Sequence, residues 1–225
     1  MPFEFSAAFL NAPLWNLVVE LLGFSLLILY HWRLSWVYRH HSERTSRGQA
    51  DRLRRAWVEA VRDRQGDILA IQTLRNWVMT ASVFASTTIV IGLGLVAASF
   101  QGLDLANLSQ AVSLVPSGGD VARLKLLALA VVFFSAFLRF VISLRFYNHT
   151  GFLINLPPIY FHGSPEDEIA VTLNRAAGQY NRGSRMFLLT IPFVLWLVGP
   201  DWFLIGVIIT LFALYRFDYL AKPGS

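Results

Sequence analysis

Long apolar segments alternate along this chain with segments rich in arginine. A helix needs about 20 apolar residues to cross the hydrocarbon core of a bilayer. Glycine ends helices, and proline with aspartate can begin them, so Gly199-Pro200-Asp201 divides the last apolar region into two. The pattern therefore predicts an all-α, polytopic transmembrane helical bundle with five spans, at about residues 14–30, 77–100, 124–146, 186–198 and 202–217. Because segment 186–198 is short, four spans plus a re-entrant hairpin is the alternative.

Two polar segments are predicted to extend these helices into the cytoplasm, at residues 51–76 and 164–185. In the first, Leu53, Trp57 and Val61 repeat at helical spacing, and Gly66-Asp67 either ends one helix or is tolerated within a longer one. The second begins with Ser164-Pro165 followed by three acidic residues. This order is typical of a helix start, so we interpret the acids as capping residues and not as a metal site. Residues 1–225 are expected to form a single membrane domain.

The arginines predict how the chain is oriented. Residues 31–76 contain ten arginines, whereas the segments expected on the other side of the membrane contain only Arg123 and Lys125. The positive-inside rule then places the amino terminus outside and the carboxyl terminus inside. Tryptophans fall near both expected interfaces, as aromatic belts do. We therefore expect a multi-pass protein of the inner (cytoplasmic) membrane.

Composition excludes several kinds of chemistry. The chain has no cysteine, so disulfides, thiolate nucleophiles and cysteine-ligated metals are absent. The net charge of +5 comes from arginines that flank apolar segments, which favours membrane loops over nucleic-acid binding. The five histidines match no metal-binding spacing, and no glycine-rich phosphate loop, G-x-S-x-G or H-E-x-x-H motif occurs. We expect no enzyme activity, no metal and no cofactor.

Two charged residues lie well inside the predicted spans, away from the span ends. Arg139 is about two turns from the inner end of the third span, where it either extends to the headgroups or forms an anion site or an ion pair. Glu20 is in the outer half of the first span, and helix rise separates the two by about 10 Å in depth. A direct pair would need one helix to slide or tilt, and burial would favour a protonated Glu20.

The second predicted span has one face of small residues. This face consists of Ala81, Ala85, Thr88 and Gly92. Small residues let helices approach closely in lipid, so we interpret the face as a helix-packing face. Pore lining is the alternative, and a contact between subunits would satisfy both interpretations.

Several stretches of the chain form a familiar set. Gln72-Thr73-Leu74-Arg75-Asn76 is the most specific of them, and Tyr30-His31, 54–60, 79–87 and 143–149 accompany it. Together they resemble an uncharacterised family of small integral membrane proteins of bacteria and plants, a domain of unknown function. The resemblance implies a multispan membrane protein and no particular activity. It also draws attention to polar residues that the predicted topology gathers at the inner membrane face. Together with Arg139, this candidate polar or permeation cluster comprises Gln72, Arg75, Asn76, Arg145, Asn148 and His149.

Two functions fit these observations. The first is an oligomeric channel or transporter, selective for anions because arginines gather near its inner mouth. The alternative is a membrane scaffold or accessory subunit that binds anionic lipid and a cytoplasmic partner. Both imply membrane lipids as partners, with anionic headgroups at the inner face. The first implies a homo-oligomer, and neither involves nucleic acid. An enzyme acting on lipid is not favoured, because no acid, nucleophile and base lie at matched depth.

Overall fold

A computed structural model describes residues 14–41, 45–64, 68–100 and 119–219. These residues form six α-helices and one turn of 3-10 helix at Pro158–Tyr160. The α-helices are α1 (Leu14–His40), α2 (Ser46–Asp63), α3 (Ile68–Phe100), α4 (Gly119–Leu153), α5 (Pro165–Val198) and α6 (Pro200–Tyr219). The predicted all-α helical bundle is confirmed.

The start and end of α5 follow the predicted signals. The Ser164 hydroxyl accepts a hydrogen bond from the Asp167 backbone N–H at 3.3 Å, Pro165 opens the helix, and three acids follow in the first turn. The helix ends at Val198, and Pro200 begins α6 after one intervening glycine. The acids therefore lie at the positive end of the helix, where they stabilise it.

The polar segment before the second span contains two helices and not one long helix. The rings of Trp57 on α2 and Trp77 on α3 lie 5.7 Å apart. A single helix would separate these residues by about 30 Å. Helix α2 therefore packs beside the beginning of α3 and is not continuous with it. The Gly66-Asp67 dipeptide that suggested this break lies outside the described residues.

Four helices, α1, α3, α4 and α6, are long and apolar enough to cross a membrane. Helix α1 continues ten residues past its predicted end at Tyr30, to His40, and α3 begins nine residues before its predicted span. Helix α5 is not among the four, but its second half lies along α4. Phe187 and Tyr180 of α5 contact the rings of Phe133 and Phe140, respectively. The Gly199 end of α5 therefore reaches the same end of the bundle as the start of α4.

The core of the bundle has two parts. At the end that carries α2, which we call the arginine-rich end, α2 packs against the start of α3, the end of α4 and the first half of α5. Val58, Leu74 and Leu173 lie in this part of the core. Further along the bundle, which we call the spanning half, α1, α5 and α6 pack around Phe203 and Val207. Helices α3 and α4 pack beside them around Ala85, Ala136 and Phe140.

Candidate functional site

The predicted polar cluster consists of two exposed triplets on neighbouring helices. Both triplets are spaced i, i+3 and i+4, so each lies along one stripe of its helix. All six side chains are exposed. Within the described part of the chain, none of these six side chains forms a hydrogen bond or an ion pair. The triplets are Gln72, Arg75 and Asn76 on α3 and Arg145, Asn148 and His149 on α4.

The register between α3 and α4 brings the triplets to the same level. The two helices run in opposite directions, and Phe84 stacks on Phe140 with ring centroids 5.3 Å apart. Seven residues along, Trp77 contacts Tyr147 at 5.6 Å. The register is therefore constant, and Arg75 lies level with His149. Both triplets sit at the arginine-rich end.

Arg139 does not join the triplets. It is half-buried between α4 and α5, where its guanidinium donates a hydrogen bond to the Gln179 side-chain carbonyl at 3.0 Å. Arg139 lies six residues from Arg145, which is about 9 Å along the helix. The structure therefore separates it from the cluster with which it was predicted, and it gives this intramembrane charge a neutral polar partner.

The other predicted intramembrane charge, Glu20, belongs to a cluster near the opposite end of the bundle. Its carboxylate accepts a hydrogen bond from the Trp196 indole N–H at 2.7 Å, so Glu20 and Arg139 do not pair. Lys125, only 4% exposed, donates to the Trp196 carbonyl at 3.0 Å and lies 5.3 Å from the centre of the Trp196 ring. Lys125 also interacts electrostatically with Glu20. The three residues join α1, α4 and α5.

Sequence reasoning missed the role of Lys125, which it counted only among the positive charges on the outer side of the membrane. Trp196 is in the last turn of α5, where backbone carbonyls have no partner within the helix. A lysine that reaches such a carbonyl both satisfies it and places a positive charge at the negative helix end. The signal was present as a single lysine at the edge of an apolar run, but its target is distant in sequence.

A second polar cluster that the sequence did not reveal joins α1, α2, α5 and α6. The Asp218 carboxylate forms a bidentate ion pair with the Arg185 guanidinium. It also accepts a hydrogen bond from the Tyr30 hydroxyl at 2.6 Å. The Ser46 hydroxyl donates to the Phe217 and Asp218 carbonyls at 2.9 and 3.0 Å. Asp218 is 6% exposed, so its charge depends on these partners.

Ion pairs also fasten α2 to α5. Arg62 donates to the Glu166 carboxylate at 3.0 Å, and Arg55 pairs with Asp167. The pKa of Glu166 lies below its ordinary value because its own backbone N–H and the Ser164 hydroxyl donate hydrogen bonds to it, with Arg62 adding to the effect. The acidic start of α5 therefore both caps the helix and docks α2.

The small-residue face of α3 is buried against another helix of the same chain. Ala81, Ala85, Thr88 and Gly92 are buried, and a side chain added at Gly92 would meet Phe133 and Phe134 of α4 at 3.4–3.5 Å. The Thr88 hydroxyl donates to the Phe84 and Ala85 carbonyls of its own helix, at 2.8 and 3.0 Å. In this structure the face packs α3 closely against α4.

In the described ranges, no group of three or more His, Cys, Asp or Glu side chains is close enough together to bind a metal ion. What the arrangement offers instead is a set of unpaired cationic and amide donors at one end of the bundle. Such donors bind anions, phosphate groups in particular.

Comparison with known proteins places the chain in a family but not in a functional class. No curated protein and no solved structure matches it. A family model described as "Protein of unknown function, DUF599" matches residues 18–223, which is most of the chain. The expected membership of an uncharacterised family is thereby confirmed. The chain belongs to the DUF599 family of proteins of unknown function.

Proposed function

We propose that this protein is a multi-pass scaffold or accessory subunit of the cytoplasmic membrane that binds anionic lipid headgroups at its arginine-rich end. In this proposal the bundle crosses five times, with α5 as a buried crossing helix beside α4. The arginine-rich end faces the cytoplasm, and the amino terminus lies outside. Arg75 and Arg145 are the main headgroup ligands, and the exposed surface of α2 is available to a cytoplasmic partner.

A difference in pairing carries the proposal. Glu20, Lys125 and Arg139, which lie along the predicted spans, each have a partner within the chain. Arg75 and Arg145 have no hydrogen-bond partner among the described residues and are exposed within one helical turn of each other along the bundle. A charge left without an internal partner at a membrane boundary is well placed to bind a charge of opposite sign in the headgroup layer.

Lipid preference tests this function. The purified protein is reconstituted into nanodiscs of phosphatidylcholine with added phosphatidylglycerol, then released and analysed by native mass spectrometry. We expect phosphatidylglycerol to be enriched on the protein relative to the nanodisc. Equal retention of the two lipids would refute headgroup binding.

Orientation has its own test, because the chain contains no cysteine and single cysteines can be introduced without background. Ala56 is exposed on α2, and Asp120 is exposed in the first turn of α4. In intact cells, an impermeant maleimide should label Asp120→Cys and leave Ala56→Cys unlabelled until the cells are opened. The reverse labelling pattern would invert the proposed topology.

An oligomeric anion channel is the second candidate, and the surface of α3 favours it. Helix α3 packs mainly on α4, and its opposite face exposes hydroxyl groups at Thr80 and Thr87. In a ring of subunits this face would line a pore that opens at the arginine-rich end. Halide and cation flux through liposomes, measured beside the oligomeric state in a nanodisc, tests the idea. A monomer without flux would remove this candidate and leave the scaffold.

A further inference from the structure

We propose that the groove between α3 and α4, on the side away from α5, binds a single phosphate-bearing lipid, with Arg75, Arg145 and Asn148 as ligands of its phosphate. This inference rests on the proposed headgroup binding and makes it specific. It replaces a general attraction between positive charge and an anionic surface with a defined site of two guanidinium groups and one amide.

Helix periodicity places the two arginines on the same side of the α3–α4 pair. On α4, the Ser143 hydroxyl donates to the Ala176 carbonyl at 2.9 Å, so Ser143 marks the side that faces α5. Arg145 follows two residues later, about 160° away around the helix axis. On α3, Trp77 marks the side that faces α2, and Arg75 lies two residues before it, again about 160° away. Because α2 packs on α5, both arginines face away from these two helices.

The separation between the arginines suits one phosphate. The constant register puts Arg75 level with His149 and one turn beyond Arg145, a difference of about 6 Å along the axis. Packed helix axes lie about 8–10 Å apart, a gap that two long arginine side chains span together. Asn148, one turn beyond Arg145 on α4, adds an amide donor beside them. Arginines that converge in this way recognise phosphate oxygens with paired hydrogen bonds.

The depth of the groove matches a lipid phosphate. Residues 124–144 separate Arg123 from Arg145 and span about 30 Å as a helix, the thickness of the hydrocarbon core. Arg145 therefore lies where the headgroups of one leaflet begin. Below the arginines, Met79 on α3 and Leu138 and Val141 on α4 are exposed and apolar. These three side chains lie within two turns of the arginines, where an acyl chain attached to the phosphate would run.

In the part of the chain that the structure describes, no carboxylate pairs with the arginines of this groove. Among the residues described, Arg75, Arg145 and Asn148 form no hydrogen bond or ion pair, and all three are exposed. Two acids at this end of the bundle pair with other arginines: Glu166 with Arg62, and Asp167 with Arg55. A phosphate is therefore the complementary group that the site lacks.

Native mass spectrometry of arginine variants tests the site, with phosphatidylglycerol in phosphatidylcholine nanodiscs as the probe. We expect Arg75→Gln and Arg145→Gln each to lower phosphatidylglycerol retention by about tenfold, the effect of losing one charge-assisted hydrogen bond, and the double variant to abolish it. Arg33→Gln and Arg175→Gln are the matched controls, because both remove an exposed arginine outside the groove. Unchanged elution and helicity show that the variants fold, as expected for exposed positions.

The outcomes separate this inference from the function on which it rests. Loss confined to Arg75 and Arg145 supports the site. Equal loss in Arg33→Gln and Arg175→Gln would overturn it while leaving general headgroup binding intact. Wild-type protein without any preference for phosphatidylglycerol would overturn both. A parallel titration with inorganic phosphate distinguishes the sources: displacement of the lipid by millimolar phosphate alone would overturn a lipid site in favour of a soluble anion.

Discussion

Charged side chains differ in their exposure and in their partners between the spanning half and the arginine-rich end of the bundle. At the arginine-rich end, Arg55 pairs with Asp167 although both side chains are about half exposed. In the spanning half, Lys125 is almost fully buried and has a hydrogen-bond acceptor, an aromatic face and a nearby carboxylate. Water can replace a lost partner in the first region, whereas lipid cannot in the second. The same kind of side chain therefore carries very different energetic weight at the two ends.

The ion pair between Arg185 and Asp218, where the two regions meet, should show the largest effect. Asp218→Ala leaves the Arg185 guanidinium half-buried without its counter-charge and the Tyr30 hydroxyl without its acceptor. We expect a loss of about 3 kcal/mol in the free energy of unfolding, measured by denaturation in detergent. The control Asp63→Ala, at an exposed position, should change little.

A double variant sharpens this test. In Asp218→Ala/Arg185→Met neither charge of this pair remains, so the stability of the double variant should exceed that of Asp218→Ala alone. The opposite result is a free energy of unfolding for the double variant that falls by the sum of the losses that Asp218→Ala and Arg185→Met each cause alone. That result would show the pairing explanation to be wrong.

Close helix packing in the spanning half gives the next largest effect. A side-chain carbon added at Gly206 of α6 would lie 2.9 Å from the Pro192 backbone of α5, so Gly206→Ala must push the two helices apart. We expect about 2 kcal/mol of destabilisation. A side-chain carbon added at Gly94 would meet no atom of the described residues within 4 Å, so Gly94→Ala should leave stability unchanged or slightly raised. Equal effects of the two changes in a thermal melt would contradict this packing.

Removing the buried ammonium group tests the Trp196 cluster. Lys125→Met keeps the length of the side chain but leaves the Trp196 carbonyl without its donor and Glu20 without a nearby cation. We expect about 1 kcal/mol of destabilisation and a shift in tryptophan fluorescence. Arg123→Met, which removes an exposed cation from the same helix turn, should have neither effect.

The smallest expected effect on stability is that of Glu166 at the arginine-rich end, and it depends on pH. The lowered pKa of Glu166 means that its ionised form stabilises the fold above its ordinary value of 4.5, and that this contribution is lost as the pH falls through the lowered pKa. Wild type should therefore be slightly more stable than Glu166→Gln at pH 7, and the two melting curves should converge in acid. A difference that grows below pH 4.5 would have the wrong sign for this explanation.

What the sequence could predict depended on the range of the interactions involved. The Ser164 cap of α5 and the break at Gly199 use neighbouring residues, and both were predicted. The extension of α1 to His40 was not, because its last ten residues are mixed in polarity and give no apolar run. The return of α2 onto α3 depends on contacts between Trp57 and Trp77, which helical periodicity alone does not specify.

In the candidate site, too, local features were predictable from the sequence and contacts between distant residues were not. Spacing along each helix and the order of spans placed the triplets of α3 and α4 at one level, as the register has them. Arg185 with Asp218, and Lys125 with Trp196, join residues 33 and 71 positions apart. A single sequence states that such groups are polar but not which group each one meets.

The docking of α1 on α6 has a consequence for how the protein is made. Helix α1 is synthesised before α6, yet Gly23 and Tyr30 of α1 contact Phe203 and Asp218 of α6. Until α6 has been synthesised and inserted, the surface of α1 that packs on α6 is left uncovered in the bilayer. A chain that terminates early would present this orphaned helix to the proteases that survey newly inserted membrane proteins.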